Sequence, residues 1–307
     1  MAIERVEACD YFVFKGKFTA DFCLGVNVLI GDNGTGKSTL IRNMYWDTDV
    51  IKQLYNPQEH DSSPTTIGSR GWGSSLDVIF INISEKTKGL YIPEKDILEH
   101  AKGLLTFIEQ KQTGFSSIYK DVLIAAQDIP TQEQSAMQKS IGEKITAIIG
   151  GTIEWDKSDG SYYTIKTDSN RIPFANEASG YKKFGFLGLL ISSGQLKPGS
   201  ILFWDEPENS LNPALVPKLV EILLELAQND IQIFIATHDY NLARYFDVRK
   251  DKSIPVLFHN LSKNGEGGIV CHSSPEYMKL PDNLMEKASE ELFEAVVSDA
   301  MGVRNDE

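Results

Sequence analysis

The chain has 307 residues, 41% of them apolar, enough for one large α/β domain or two average ones with a sizeable core. Its formal charge of −13, from 30 basic and 43 acidic residues, argues against a protein that coats nucleic acid through its overall field, although a local basic patch is compatible with that total. Only Cys9, Cys23 and Cys271 are present, at wide and unrelated spacings, which excludes a disulfide framework or a zinc site and points to a reducing cytoplasm. Residues Met1 to Arg5 carry no apolar signal segment. The longest apolar stretch, around Phe184 to Ile191, is far short of the roughly 20 residues that span a bilayer, so a membrane would be met only through a partner.

In chain order, residues 3 to 30 read as short strands, with Tyr11-Phe12-Val13-Phe14 and Val26 to Ile30 rich in β-branched and aromatic residues and Lys15-Gly16-Lys17 at a turn. A Gly-rich loop from Gly31 follows, then the start of a helix at Leu40. From Asn56 to Ser75 the sequence is polar and rich in Pro, Ser, Thr and Gly, which predicts a surface loop. Val78 to Ile83 reads as a strand and Gly89 to Pro93 as a second, stopped by proline. Apolar residues at spacings of three and four predict helices over Glu94 to Gln110 and Gln132 to Ile149. Thr152 to Trp155 and Tyr162 to Lys166 flank a turn-forming stretch and read as a hairpin. The C-terminal half alternates: helix Ser179 to Ser192, strand Ile201 to Trp204, helix Pro213 to Gln228, strand Ile231 to Ala236. That is the rhythm of a parallel sheet covered on both faces. A last hairpin after Pro255 and one or two closing helices over Asp282 to Met301 complete the reading.

Four groups of residues carry chemistry. Gly31 to Ser38 fits G-x-x-x-x-G-K-S and stands between a strand and a helix, as a phosphate-binding loop must. Its backbone N–H groups, from Asn33, Gly34, Thr35 and Gly36 through Lys37, Ser38 and Thr39, can cradle phosphates. Lys37 reaches the β- and γ-phosphates and the Ser38 hydroxyl ligates Mg²⁺. Ile201 to Trp204 then delivers Asp205 and Glu206 to the carboxyl edge of a buried strand, where ligands of open α/β sheets sit; Asp205 can hold Mg²⁺ and Glu206 can deprotonate water. His238 follows the next apolar strand, placed to donate to a γ-phosphate oxygen. Ser179 and Gly180 open an apolar helix, 26 residues before Asp205. Their simplest reading is a helix cap, and their free N–H groups also make an anion site.

Together these residues resemble the ATPase heads of the ABC superfamily, within it the RecF, SMC and OLD-like group rather than the transporter group. The resemblance is close over residues 3 to 50 and 172 to 260. It implies an α/β fold: a P-loop head with a mixed sheet, an N-terminal antiparallel β part and a helical lobe. It implies one domain over 1–307, with a nucleotide-binding lobe in 1–55 and 195–275, a helical lobe with an inserted hairpin in 76–194, and C-terminal helices in 276–307. It implies ATP and Mg²⁺ as cofactors, and a head-to-tail homodimer or larger assembly trapping two ATP. Each ATP would lie between the phosphate loop of one subunit and Ser179 and Gly180 of the other, and hydrolysis by Glu206, His238 and Lys37 would open the dimer.

The chain departs from the family in three places. The signature continues as Tyr181-Lys182 where Gly and then Gln or Glu are usual. Asn212 stands where transporter ATPases have Asp, and fits both an intersubunit role and the cap of a helix with Pro213 at its first position. The lobe-linking glutamine has no clear counterpart: Gln53 and Gln58 lie close to the phosphate loop, Tyr91 to Lys95 occupies the equivalent place, and Lys95 reads as a solvated helix residue.

Ser179 follows Lys37 by only 142 positions, which excludes a long coiled-coil arm, and the last 60 or so residues have no room for a nuclease module. The expectation is a cytoplasmic ATP-dependent switch acting on a separate effector, a nuclease or toxin, in anti-phage defence. The alternatives are a RecF-like DNA-repair clamp, which needs a basic face, and a transporter ATPase subunit, which needs the transporter signature and Asp at 212.

Overall fold

The computed structural model describes residues 2–54, 65–71, 74–81, 89–95, 97–98, 103–104, 108, 117–127, 133–265 and 267–301. A six-stranded sheet holds the molecule together. Five of its strands are parallel, in the order β12 (Val256–Lys263), β3 (Val26–Gly31), β11 (Gln232–Ala236), β10 (Ile201–Asp205) and β6 (Gly89–Ile92); β13 (Ile269–Ser274) closes one edge antiparallel to β12. These central strands are apolar runs because both faces are covered. Along β10, Leu202 and Trp204 enter one core while Ile201 and Phe203 enter the other.

On the first face lie α3 (Ala136–Ile149), α4 (Ser179–Ser192), α5 (Val216–Gln228) and α6 (Tyr240–Arg249), with much of α2 (Ser117–Gln127). Helix α3 is closed at both ends. Ser135 and Gln138 form a reciprocal capping box, and Gly150 ends it in the left-handed region at φ +66°. The hairpin expected after Thr152 forms as β7 (Gly151–Asp156) and β8 (Ser161–Lys166), extended by β9 (Arg171–Pro173) into a separate three-stranded sheet. On the second face lie α1 (Lys37–Leu54) and an antiparallel sheet in the order β2 (Phe14–Asp21), β1 (Ala2–Tyr11), β5 (Ser74–Ile81), β4 (Thr65–Gly71). The side chain of Gln232 joins this sheet to the parallel one. Its Oε1 accepts from the Ile3 N–H at 2.8 Å and its Nε2 donates to the carbonyls of Ile3 and Cys23, both at 2.8 Å.

The α/β head with an N-terminal antiparallel part is as expected, but two local readings need correction. The polar stretch from Asn56 to Ser75 is not all loop: Thr65–Gly71 forms the edge strand β4 and Ser74 begins β5. An edge strand with one open side needs no apolar run, so composition hides it. The rest of that stretch, and most of the helix expected over Glu94 to Gln110, lie outside the described residues, although Gly103, Leu104 and Ile108 are helical. Strands β5 and β6 fall within the 76–194 stretch expected for the helical lobe, yet they pair into the two sheets around α1. The closing segment is a single helix, α7 (Leu284–Ala300), capped by Asn283. No helix among the described residues is long and apolar enough to cross a membrane.

Candidate active site

The loop between β3 and α1 is shaped by close backbone approach. Gly31 sits at φ +132°, and a Cβ there would lie 2.1 Å from the Leu261 carbonyl oxygen on β12; at Gly36, φ +91°, it would lie 2.6 Å from Val13 Cγ2. Both positions therefore require glycine. Thr35 is buried, its hydroxyl donating to the Asp32 carbonyl at 2.9 Å, while Asn33 and Gly34 are exposed at the lip. Ser38 and Thr39 follow Lys37 in the first turn of α1, whose unpaired N–H groups face this loop.

Lys37 Nζ donates to the carbonyls of Gly31 (2.7 Å) and Asp32 (3.0 Å) and lies 3.3 Å from His238 Nδ1. Burial pulls its pKa down to about 8 against the opposing charges of Glu206 and Asp205. Facing it, the buried Asp205 ends β10 and accepts hydrogen bonds from Ser38 Oγ at 2.8 Å and from Tyr91 OH at 3.0 Å. Burial raises its pKa and these two donors counteract the rise. The carboxylate and hydroxyl form a hard oxygen pair of the kind Mg²⁺ prefers. No cluster of three or more His, Cys, Asp or Glu able to hold a metal occurs among the described residues.

Glu206 leaves the strand at φ +47°, a left-handed conformation that costs a non-glycine residue about 1–2 kcal/mol. Its Oε1 lies 3.2 Å from His238 Nε2. Burial first, then the neighbouring Glu208 and Asp205, push its carboxyl up to about 8, opposed by Lys37. Burial and the charge of Lys37 lower the pKa of His238, which is therefore neutral near pH 7. A neutral ring that accepts from Lys37 at Nδ1 carries its proton on Nε2, toward Glu206. Lys37, Glu206 and His238 thus form one linked constellation.

Sequence reasoning missed two residues here. Tyr91, read only as part of a strand and a possible linker, binds Asp205 because β6 runs beside β10. Glu208 accepts from the Thr237 hydroxyl, which itself accepts from the Asp239 N–H at 2.9 Å, so the two strand ends that carry Glu206 and His238 are tied together. An acidic residue two places after Glu206 was the available signal.

Helix α4 departs from the reading in one detail. Its cap is Ala178, which makes no side-chain cap bond, so Ser179 is the first helical residue and is exposed rather than capping. Gly180 is buried, and a Cβ there would lie 3.0 Å from Leu211 Cδ1. Asn212 caps the 3₁₀ turn Pro213–Leu215, accepting from the Ala214 N–H at 2.9 Å, which is the helix-start role anticipated for it. Ser179, Gly180 and Asn212 therefore share one surface region. Of the candidates for the lobe-linking glutamine, Gln58 and the side chain of Gln53 lie outside the described residues. Lys95 is exposed and Glu94 accepts from Asn209 Nδ2 at 2.9 Å.

Known proteins resemble this chain in sequence and in fold. A family model described as "AAA domain, putative AbiEii toxin, Type IV TA system" matches residues 114–244. The chain is 24% identical over 243 residues to "Probable ABC transporter ATP-binding protein p29" of Mesomycoplasma hyorhinis, covering 78% of this chain and 79% of that protein. It is 21% identical over 252 residues to "Energy-coupling factor transporter ATP-binding protein EcfA2" of Clostridium perfringens, covering 82% and 68%. Among solved structures, the SMC head bound to the C-terminal winged-helix domain of ScpA superposes with a TM-score of 0.55 at 12% identity, covering 93% of this chain and 100% of that one. The Pyrococcus furiosus SMC head with an extended coiled coil, bound to the C-terminal domain of ScpA, gives 0.52 at 12% identity, covering 95% and 99%. The chain thus has the fold of SMC ATPase heads and is similar in sequence to ABC-type ATP-binding proteins, as an ATPase would be.

Proposed function

We propose that this ATPase is a switch that pairs head to tail with a second copy around two ATP molecules and thereby controls a separate effector, a nuclease or toxin, in anti-phage defence. The observation that carries the reading is the facing of Lys37 and Ser38 by Asp205, Glu206 and His238, with α4 starting at an exposed Ser179 that no side chain caps. One copy supplies the loop and the base, and the other supplies Ser179 and Gly180. The toxin–antitoxin description attached to the matching family model supports the defence assignment, and the short interval from Lys37 to Ser179 leaves no room for a long arm.

In this reading Lys37 exchanges the carbonyls of Gly31 and Asp32 for the β- and γ-phosphates, and the backbone of Asn33 to Thr39 closes on the rest. Ser38 and Asp205 would hold Mg²⁺, which supplies charge neutralisation on the phosphate oxygens when bound. Glu206 takes the proton of the attacking water, and His238 donates from Nε2 toward the γ-phosphate. Lys37→Ala is expected to abolish ATP binding. Glu206→Gln is expected to bind ATP as well as the wild type but to lose steady-state phosphate release; undiminished turnover would remove Glu206 as the base.

A second reading, an ATPase subunit of a membrane transporter, is favoured by the names of the relatives at 21–24% identity. Mass spectrometry of what co-purifies with ATP-loaded Glu206→Gln from its native host separates the two. A nuclease or toxin supports the switch, an integral membrane protein supports the transporter, and a dimer carrying DNA supports a RecF-like repair clamp.

A further inference from the structure

The first turns of α4 do more than carry Ser179. One turn further on, Lys183 extends its side chain to the segment that leaves β10, and its Nζ donates to the carbonyls of Glu206 at 2.9 Å and Pro207 at 3.2 Å. Nothing in the sequence couples these residues; the fold brings them together because α4 packs across the end of the parallel sheet, where Trp204 shares its core with Phe184 and Phe186. The backbone there follows an unusual path, tied also by the Glu206 N–H to the Ala236 carbonyl at 2.9 Å and by the Asn209 N–H to the Glu206 carbonyl at 3.1 Å. Glu206 sits at φ +47°, Pro207 has no N–H to offer, and Ser210 is again left-handed at φ +60°. A charged donor shared between two adjacent carbonyls stabilises that unusual path, since charge-assisted hydrogen bonds are the stronger kind.

The contact has a direction. The peptide whose oxygen Lys183 holds follows the Cα that carries the Glu206 carboxylate, and that carboxylate lies 3.2 Å from His238 Nε2. On the same helix Gly180 rests against Leu211 and Leu215, so the start of α4 touches the 206–215 segment at two places, one apolar and one charged. We infer that Lys183 is a positioning residue for ATP hydrolysis, holding the Glu206 backbone in its left-handed turn and making the alignment of the carboxylate depend on the seating of α4. This rests on the reading of Glu206 as the base. Any displacement of α4 when a second copy's nucleotide meets Ser179 reaches Glu206 through these two carbonyl bonds.

The test is steady-state ATP turnover and ATP binding for Lys183→Met, Lys183→Arg, Glu206→Gln and the double variant Lys183→Met/Glu206→Gln, with thermal unfolding of each. Lys183→Met keeps the length of the side chain and removes its donors. It is expected to lower kcat about 100-fold with KM for ATP and ATP affinity little changed, as a small misplacement of a catalytic group does. Lys183→Arg restores most of the rate. In the Glu206→Gln background, Lys183→Met causes no further loss of the residual rate, because both changes act on one group. A wild-type kcat in Lys183→Met, with Glu206→Gln inactive, overturns the proposal and leaves Glu206 as the base. A further loss of about 100-fold in the double variant overturns it as well, since Lys183 would then act independently of Glu206. Turnover in Glu206→Gln at the wild-type rate defeats the reading of the base, and the proposal with it. Should Lys183→Met fail to fold, Lys183→Gln gives the same test: its shorter amide cannot hold both carbonyls, and an unchanged kcat overturns the proposal.

Discussion

At the scale of single residues, environment decides what each group in the site can do. His238 is held between a cation and a carboxyl, with its proton directed by Lys37 rather than by its own pKa. His238→Ala is therefore expected to lower kcat by about 100-fold, the usual loss on removing one donor aimed at developing charge, with little change in ATP affinity. A wild-type rate would reduce His238 to a structural role. Asp47 presents a different residue-scale problem. It is buried in α1, its Oδ2 has no hydrogen-bond partner among the described residues, and burial together with the charge of Asp77 raises its carboxyl to about 7. A carboxyl whose folded pKa exceeds its unfolded value binds the proton more tightly when folded. Its contribution is thus fully present below about pH 4 and is lost as the pH rises to about 7, at roughly 1 kcal/mol per pH unit. Denaturant unfolding of the wild type and Asp47→Asn from pH 4.5 to 7.5 is expected to show the variant gaining on the wild type as pH rises. A constant gap would mean that Asp47 is ionised throughout.

At the scale of elements, the head is two sheets joined through a few buried polar contacts and one shared core. Replacing Gln232 by Leu removes the side-chain partner of the Ile3 N–H and carbonyl inside that junction, while the Cys23 carbonyl keeps its bond from Asn27 Nδ2 at 2.9 Å. It is expected to destabilise the chain by about 3 kcal/mol in denaturant unfolding, while ATP binding in the remaining folded fraction persists. Much of this architecture is legible in sequence, because strands buried on both faces must be apolar runs and Ser-, Gly- and Pro-bearing turns separate them. The helix Ser179–Ser192 is read to the residue. Edge strand β4 is not, since one open side relaxes the demand for apolar residues, and α2 passes unnoticed although Ile118, Val122, Leu123 and Ala126 repeat at helical spacing. In the site, the motif residues are legible because phosphate and cation chemistry fixes their types and spacing. Tyr91, Glu208 and Lys183 are not. Their contacts to Asp205, Thr237 and the Glu206 carbonyl depend on which strand lies beside which and on how α4 crosses the sheet, facts that no local spacing encodes.

At the scale of the whole molecule, one copy displays two half-sites on different parts of its surface. The loop from Gly31 to Ser38 with Asp205, Glu206 and His238 is one, and the start of α4 with the 211–215 turn is the other. In the proposed reading such a head completes its site by pairing, and the pairing requires ATP and ends with hydrolysis. The most direct test is sedimentation of Glu206→Gln with Mg²⁺ and either ATP or ADP. The account predicts a doubling of mass with ATP, a monomer with ADP, and no doubling with ATP when Ser179 is also replaced by Arg. An ATP-loaded Glu206→Gln that remains monomeric at concentrations well above its ATP affinity would contradict it.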